Sequence, residues 1–261
     1  MDKRGHTSDP TTITIDKYYD GARIRKLRQL ASPKGVKTLF SLGGWTDLPK
    51  KFINIALVFV RKNTKPDYNE NPDGWDLDGI GINWEYPGRS AAICNNVDKN
   101  DSANYLILLE ELRAALVAEF PKEHPLLSAA VRVQPFDGVD GKPMADVSTY
   151  APYFDYINVM CSWSATTRPN APFDYDTTKG GDAYSFPKWP ANKLVMGMPI
   201  YGCLLTATVD MNANPDNMYA AKDSVTPKGD LYDTNELNSF CNKGTFYSGI
   251  WKWQSIRSDI L

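Results

Sequence analysis

The residues with the clearest capacity for chemistry lie in Leu77-Asp78-Gly79-Ile80-Gly81-Ile82-Asn83-Trp84-Glu85-Tyr86-Pro87. Ile80, Ile82 and Trp84 alternate with Gly81, Asn83 and Glu85. Successive side chains of a strand point to opposite faces, so the second set shares one side. An apolar back and a small or polar front ending in a carboxylate is the pattern of an inward-facing active-site strand, with Glu85 a candidate acid or base. A half-exposed strand with a surface Glu shows the same alternation, and both readings stand on this stretch alone. Upstream, Val36-Lys37-Thr38-Leu39-Phe40 reads as a buried strand running into Ser41-Leu42-Gly43-Gly44-Trp45. Paired glycines at a strand end let backbone approach a ligand, since no Cβ intervenes.

Other chemistries lack their residues. Cys94, Cys161, Cys203 and Cys241 form no CxxC pair, and with only His6 and His124 a metal site of the zinc type is not expected. There is no glycine-rich phosphate loop, no Ser nucleophile elbow and no His-based dyad, so no metal, nucleotide, flavin or other cofactor is expected. The segment 64–74 superficially suggests a calcium loop, but Pro72 interrupts it and Ile80 stands where the final Glu is required. Lys+Arg 29 against Asp+Glu 31 gives a formal charge of -2, with no broad pull toward nucleic acid or anionic membrane. No apolar run is long enough to span a bilayer, and MDKRGHTSDP lacks the apolar core of a signal peptide. One glycosylation sequon is present, Asn100-Asp101-Ser102.

The elements around these residues alternate between strand and helix. Tyr18, Ala22, Ile24, Leu27 and Leu30 recur at helical spacing among Arg23, Arg25, Lys26 and Arg28, predicting a helix with a solvated basic face, stopped by Ser32-Pro33-Lys34-Gly35. A second helix carries Phe52, Ile55, Ala56 and Phe59 on one face. A third, capped by Asp101 or Ser102, carries Leu106, Leu109, Leu112 and Leu116. Strands are predicted at 126–131 and 156–160, and Asp137-Gly138-Val139-Asp140-Gly141 reads as a turn-rich connection, structure rather than site. Strand-helix-strand repetition is the unit of a parallel sheet. A chain of 261 residues is expected to form a single domain, 1–261.

The central stretch resembles the fourth-strand signature of glycoside hydrolase family 18, the chitinases, written DGxDxDxE and often followed by Tyr-Pro. Asp78, Gly79 and Glu85 match; Gly81 and Asn83 replace the second and third aspartates. Ser41-Leu42-Gly43-Gly44 resembles the third-strand SxGG motif, and 156–160 the sixth strand. In the family that strand continues Met-x-Tyr-Asp, whose Tyr contacts the sugar's acetamido group. Here Cys161-Ser162-Trp163-Ser164 follows Met160, and Arg168-Pro169-Asn170-Ala171-Pro172 then resembles fungal members, so the Tyr is missing. Residues 193–202 resemble the seventh strand and 249–253 the eighth, where Trp253 matches the tryptophan flooring the innermost sugar site.

The resemblance implies an α/β fold of the (β/α)8 TIM-barrel type, a partial barrel with strands three to eight present and the first two absent. Either Ile13-Thr14-Ile15 helps fill the gap, or the barrel stays open, or the chain is incomplete. It implies action on chitin or chitin oligosaccharides, β-1,4-linked N-acetylglucosamine, outside the cell. No nucleic-acid or membrane partner is expected. In such enzymes one carboxylic acid protonates the leaving oxygen while the substrate's own N-acetyl oxygen attacks the anomeric carbon. Glu85 would be that acid, Asn83 would stand in for the residue that orients the acetamido N–H, and Asp78 completes the motif. Trp45, Tyr86, Tyr201 and Trp253 would contact sugar. With both later aspartates and the acetamido Tyr gone, three outcomes are open: weak residual hydrolysis, chitin binding without hydrolysis, or an incomplete product with no function.

Overall fold

The computed structural model describes residues 20–44, 56–57, 60–62, 74–89, 96–133, 136–160, 188–213, 220–234 and 247–259. Helix α1, Asp20–Ala31, ends in a turn of 3-10 helix at Ser32–Lys34, with Gly35 left-handed at φ 70°. Strand β1 is Leu39–Gly44, β2 Gly79–Trp84, β3 Leu126–Arg132, β4 Tyr156–Met160 and β5 Leu194–Met196; helix α2, Asp101–Glu119, lies between β2 and β3 in sequence. These five strands form one sheet in the order β1-β2-β3-β4-β5, chain order without crossings. The β1–β2 and β2–β3 pairs are parallel.

The segment around 249–253, expected as the eighth barrel strand, is not part of that sheet. Strand β7, Ile250–Lys252, instead pairs antiparallel with β6, Tyr201–Cys203, in a separate two-stranded sheet. The stretch expected as one strand at 193–202 is split between β5 and β6. Helix α3, Trp253–Asp259, follows β7 directly, so Trp253 opens a helix.

The chain divides into two compact units, Met1–Val131, Phe136–Asn158 and Lys188–Leu194 in the first, Arg132–Pro135, Val159–Pro187 and Val195–Leu261 in the second. In the first, alternation settles which face is core: Leu42, Ile80, Ile82, Leu127 and Ala129 are buried. Helix α2 contributes Tyr105, Leu109, Leu112 and Leu116, all buried, while Leu106 is only half-buried. Tyr105 is the hub. Its ring meets Trp84 edge-on at 5.5 Å and Phe136 at 5.6 Å, with Tyr150 and Phe154 each at 6.3 Å. Such pairs add about 0.5–1.5 kcal/mol each beyond burial. Neither predicted cap acts as one: Asn100 holds the N-cap position, the Asp101 carboxylate accepts from the Asp98 N–H, and the Ser102 hydroxyl donates to the Asp137 carbonyl at 2.6 Å.

Helix α1 buries a face that keeps Ile24 of the predicted stripe but not Leu27 or Leu30. Leu27 and Leu30 are 56% and 54% exposed, whereas Ile24, Arg25, Arg28 and Ala31 turn inward. The reason is electrostatic: Arg28 reaches a carboxylate on the sheet, and a guanidinium carries its own apolar stem to cover the surface beside it. Of the second predicted helix, Ala56 is helical and wholly buried, while Phe52, Ile55 and Phe59 lie outside the described residues. The same is true of Ile13–Ile15, Tyr18, 64–73, Cys94, Cys161 and the 161–172 stretch, and Cys241. No helix among the described residues is long and apolar enough to cross a membrane.

Candidate active site

The candidate site grows from the register of three strands. Ser41 of β1, Gly81 of β2 and Ser128 of β3 lie in one row across the sheet, and Gly43 lies beside Asn83 in the next. All five belong to the face opposite Leu42, Ile80, Ile82, Leu127 and Ala129. Small residues dominate it, which leaves room above the strands. Gly43 and Gly44 have φ of 102° and 146°, where a side chain would be strained, so the paired glycines are required for this ending of β1. At Gly81 an added Cβ would stand 3.3 Å from the Ser128 hydroxyl.

Glu85 follows the last residue of β2 and is 9% exposed. Burial pushes its carboxyl above the ordinary glutamate value, and hydrogen bonds from the Tyr86 and Asn83 side chains pull the other way. The net shift is upward. The Asn83 carboxamide offers two N–H donors and one oxygen; that oxygen, Oδ1, is buried and has no hydrogen-bond partner among the described residues. A buried acceptor on the small-residue face of β2, beside a raised-pKa carboxyl, is a pair suited to an amide-bearing neutral ligand.

The backbone after Glu85 is held from two directions. The Glu85–Tyr86 peptide is cis, and Tyr86 and Arg89 exchange backbone hydrogen bonds at 3.0 and 3.1 Å, closing the turn Tyr86-Pro87-Gly88-Arg89. Gly88 adopts φ 77°, and a Cβ there would meet the Asp137 carbonyl oxygen at 3.1 Å. Arg89 then grips the buried Asp137 carboxylate through two parallel contacts. Sequence reading assigned Asp137 to a turn and did not single out Arg89; separated by 48 residues, they carry no local signal of pairing.

Asp78 is not brought to this site. It precedes β2, so the strand separates it from Glu85 by roughly 20 Å. Its Oδ2 accepts from the Thr38 N–H at 2.8 Å, the Thr38 hydroxyl at 3.0 Å and Arg28 at 2.8 Å, and Lys37 stands 3.4 Å from Oδ1. Its backbone N–H donates to Thr38 and its carbonyl accepts from Leu126. Asp78 therefore fastens the entrances of β1, β2 and β3 together. At Gly79 an added Cβ would lie 2.2 Å from the Leu126 carbonyl oxygen, so the Asp-Gly of the motif serves strand packing. A cavity of about 760 Å³ lies at this end, with Arg28, Lys37, Arg61, Asp78, Glu119 and His124 among its lining residues.

The remaining candidates are placed separately. Tyr86 is half-buried beside Glu85. Trp45 lies outside the described residues. Tyr201 and Trp253 belong to the second unit, 43% and 50% exposed, with Tyr201 directly opposite Lys252 in the β6–β7 pair. Lys252 stands 4.1 Å from the Tyr232 ring centroid, a cation–π contact within this unit.

Residues 5–260 match the family model described as Glycosyl hydrolases family 18. A "chitinase-like effector" of Moniliophthora roreri is 36% identical over 200 residues, 69% of this chain and 46% of that protein. Among solved structures, a chitinase from Rhizomucor miehei superposes with a TM-score of 0.72 at 24% identity, covering 97% of this chain and 72% of that one. A class V chitinase from Nicotiana tobaccum, solved in complex with NAG4, gives a TM-score of 0.58 at 22% identity, with 94% of this chain and 66% of that one covered. The chain spans about half the length of the curated relatives it matches, 46% and 54% for two of them. These likenesses and the parallel sheet identify the fold as the α/β, (β/α)8-barrel type.

Proposed function

From the premise that the chain belongs to glycosyl hydrolases family 18, we propose that it binds chitin oligosaccharides of β-1,4-linked N-acetylglucosamine at Glu85, with hydrolysis weak or lost. The observation that carries this reading is the pair formed by Glu85 and Asn83. Asn83 Oδ1, buried and without a partner among the described residues, is an acceptor for a sugar acetamido N–H. Glu85, with its pKa raised by burial, is an acid able to protonate a glycosidic oxygen and later to deprotonate water. The substrate's own acetamido oxygen would attack the anomeric carbon, so no protein nucleophile is needed. Tyr86, Trp45, Tyr201 and Trp253 are proposed as sugar contacts. Asp78 is proposed to act through the strand it fastens and to touch no substrate.

Weakness of hydrolysis follows from what Asn83 lacks. It can orient an amide but carries no charge to offset the developing positive centre. Losing one such preorganised electrostatic partner commonly costs about 3 kcal/mol, a hundredfold or more in rate. Gly81 offers no side chain to share a proton, and the acetamido-holding Tyr is missing from the sequence after Met160. These losses act on one unit and do not add.

A second reading, binding without turnover, is favoured by the direction of the Asn83–Glu85 hydrogen bond. An amide donor stabilises the carboxylate form, which is the wrong form for a leaving-group acid. Extracellular location is proposed with either reading, by family likeness. The test is isothermal titration with chitin hexamer followed by mass spectrometry of the mixture. Binding with shortened products that disappear in Glu85→Gln supports residual hydrolysis, and binding without products supports the second reading. No binding overturns both.

A further inference from the structure

We propose that Asn100 is an N-glycan acceptor, and that the glycan is added before α2 docks. The chain has one Asn-x-Ser/Thr sequon, Asn100-Asp101-Ser102, and the structure sets it at the N-terminus of α2. Asn100 occupies the N-cap position, where Asn ordinarily turns its side chain back onto the helix. Here the side chain makes no capping hydrogen bond. The first turn is organised by other groups: the Asp98 carboxylate accepts from the Asn100 N–H at 2.8 Å, and the Asp101 carboxylate accepts from the Asp98 N–H at 2.9 Å. Residues 96–100 are all exposed. The carboxamide of Asn100 is thus in solvent and relieved of the structural duty its position would give it, so a branched, hydrated glycan can be carried without displacing protein.

Ser102 fixes the timing. Its hydroxyl, which the sequon requires, is 4% exposed and donates to the Asp137 carbonyl at 2.6 Å, while the Tyr150 hydroxyl donates to the Ser102 carbonyl at 2.8 Å. A transferase that must read an extended Asn-x-Ser cannot reach it once this turn has packed. The donor is a lipid diphosphate-linked oligosaccharide. The Asn100 amide nitrogen forms a bond to the anomeric carbon of its first N-acetylglucosamine, the bond from that carbon to the diphosphate oxygen breaks, the lipid diphosphate leaves, and the amide gives up one proton to the transferase.

The inference rests on the extracellular location proposed above, so its test separates the two. The full chain is translated in the presence of microsomes, once as it stands and once behind a supplied secretory leader, and protease-protected material is examined. Protection of the unaided chain reports on export alone. For the leader-bearing chain, a mass increase is expected that an endoglycosidase removes, that is lost in Asn100→Gln and that is kept in Ser102→Thr. The purified, folded, unmodified protein is expected to be refractory to the same transferase. A protected chain with no increase, or an increase that survives Asn100→Gln, overturns the assignment. Modification of the folded protein overturns the proposed order of events.

Discussion

Arg89 and Asp137 meet as fork to fork, with Nε 2.5 Å from Oδ2 and Nη2 3.1 Å from Oδ1, and Asp137 is 3% exposed while the Arg89 side chain is 37% exposed. The asymmetry decides what each substitution costs. Arg89→Leu strands a buried carboxylate, a loss of about 3–5 kcal/mol, whereas Asp137→Asn leaves a guanidinium that can turn to water. Urea denaturation is expected to show the Arg89 variant as clearly the less stable. Equal losses would mean that the pair does not hold the Glu85 turn in this way.

Gly79 and Gly81 occupy the same strand and are expected to respond differently to Ala. At Gly79 the new Cβ meets the Leu126 carbonyl oxygen at 2.2 Å, backbone that cannot move without opening β2 from β3. At Gly81 the contact is the Ser128 hydroxyl at 3.3 Å, which can rotate. Gly79→Ala should abolish cooperative folding, while Gly81→Ala should melt within a few degrees of the parent. Comparable melting curves would overturn this account of the strand.

Local pattern made part of this legible. Alternation of Ile80 and Ile82 with Gly81 and Asn83 set the two faces of β2, and Leu109, Leu112 and Leu116 set the inner face of α2, because each signal needs only the chain's own period. What was not legible depended on partners distant in sequence. Asp78 matches a catalytic motif letter for letter, yet its neighbours are Arg28, 50 residues away, and Thr38, 40 away, which make it a clasp. Leu27 and Leu30 have the spacing of a buried stripe, but the ion pair of Arg28 turns α1 the other way. The 250–252 strand matches a parallel barrel strand in sequence and pairs antiparallel with Tyr201–Cys203, since a three-residue stretch, Ile250-Trp251-Lys252, specifies a strand but not its partner.

Acid stability follows from the Asp78 clasp. Burial works to raise the Asp78 carboxyl, and the two Thr38 hydrogen bonds with Arg28 and Lys37 outweigh it, so its folded pKa lies below the ordinary value. A depressed carboxylate contributes stability above its unfolded pKa, near 3.9, and loses it as pH falls through the folded pKa. Asp155, held by the Leu127 N–H, His124 and Arg113 against its burial, shifts the same way. Asp78→Asn is expected to lower the melting temperature at neutral pH and to lose less than the parent between about pH 4 and pH 2. Its binding of chitin hexamer should be unchanged. Parallel pH profiles for variant and parent would remove the clasp from the account.

Glu85 has the opposite sign, and the site's chemistry turns on it. Its folded pKa is raised, chiefly by burial, so its contribution to stability is complete below the unfolded value, about 4.3, and is lost as pH rises through the folded pKa. Glu85→Gln should therefore match the parent in melting temperature near pH 4 and exceed it at pH 7. Asn83→Asp bears on the same carboxyl from its neighbour: a second acid in that place repels the Glu85 anion, removes an amide donor from it and raises its pKa further. Hydrolysis of chitin hexamer by Asn83→Asp is expected to exceed the parent rate by tenfold or more, with the upper pH limit of activity moved toward neutral. The double variant, with Glu85→Gln added, should return to background. An Asn83→Asp protein that binds hexamer as tightly as the parent and yields no products would mean that Glu85 is no longer placed to act as an acid, and that the site holds chitin without cutting it.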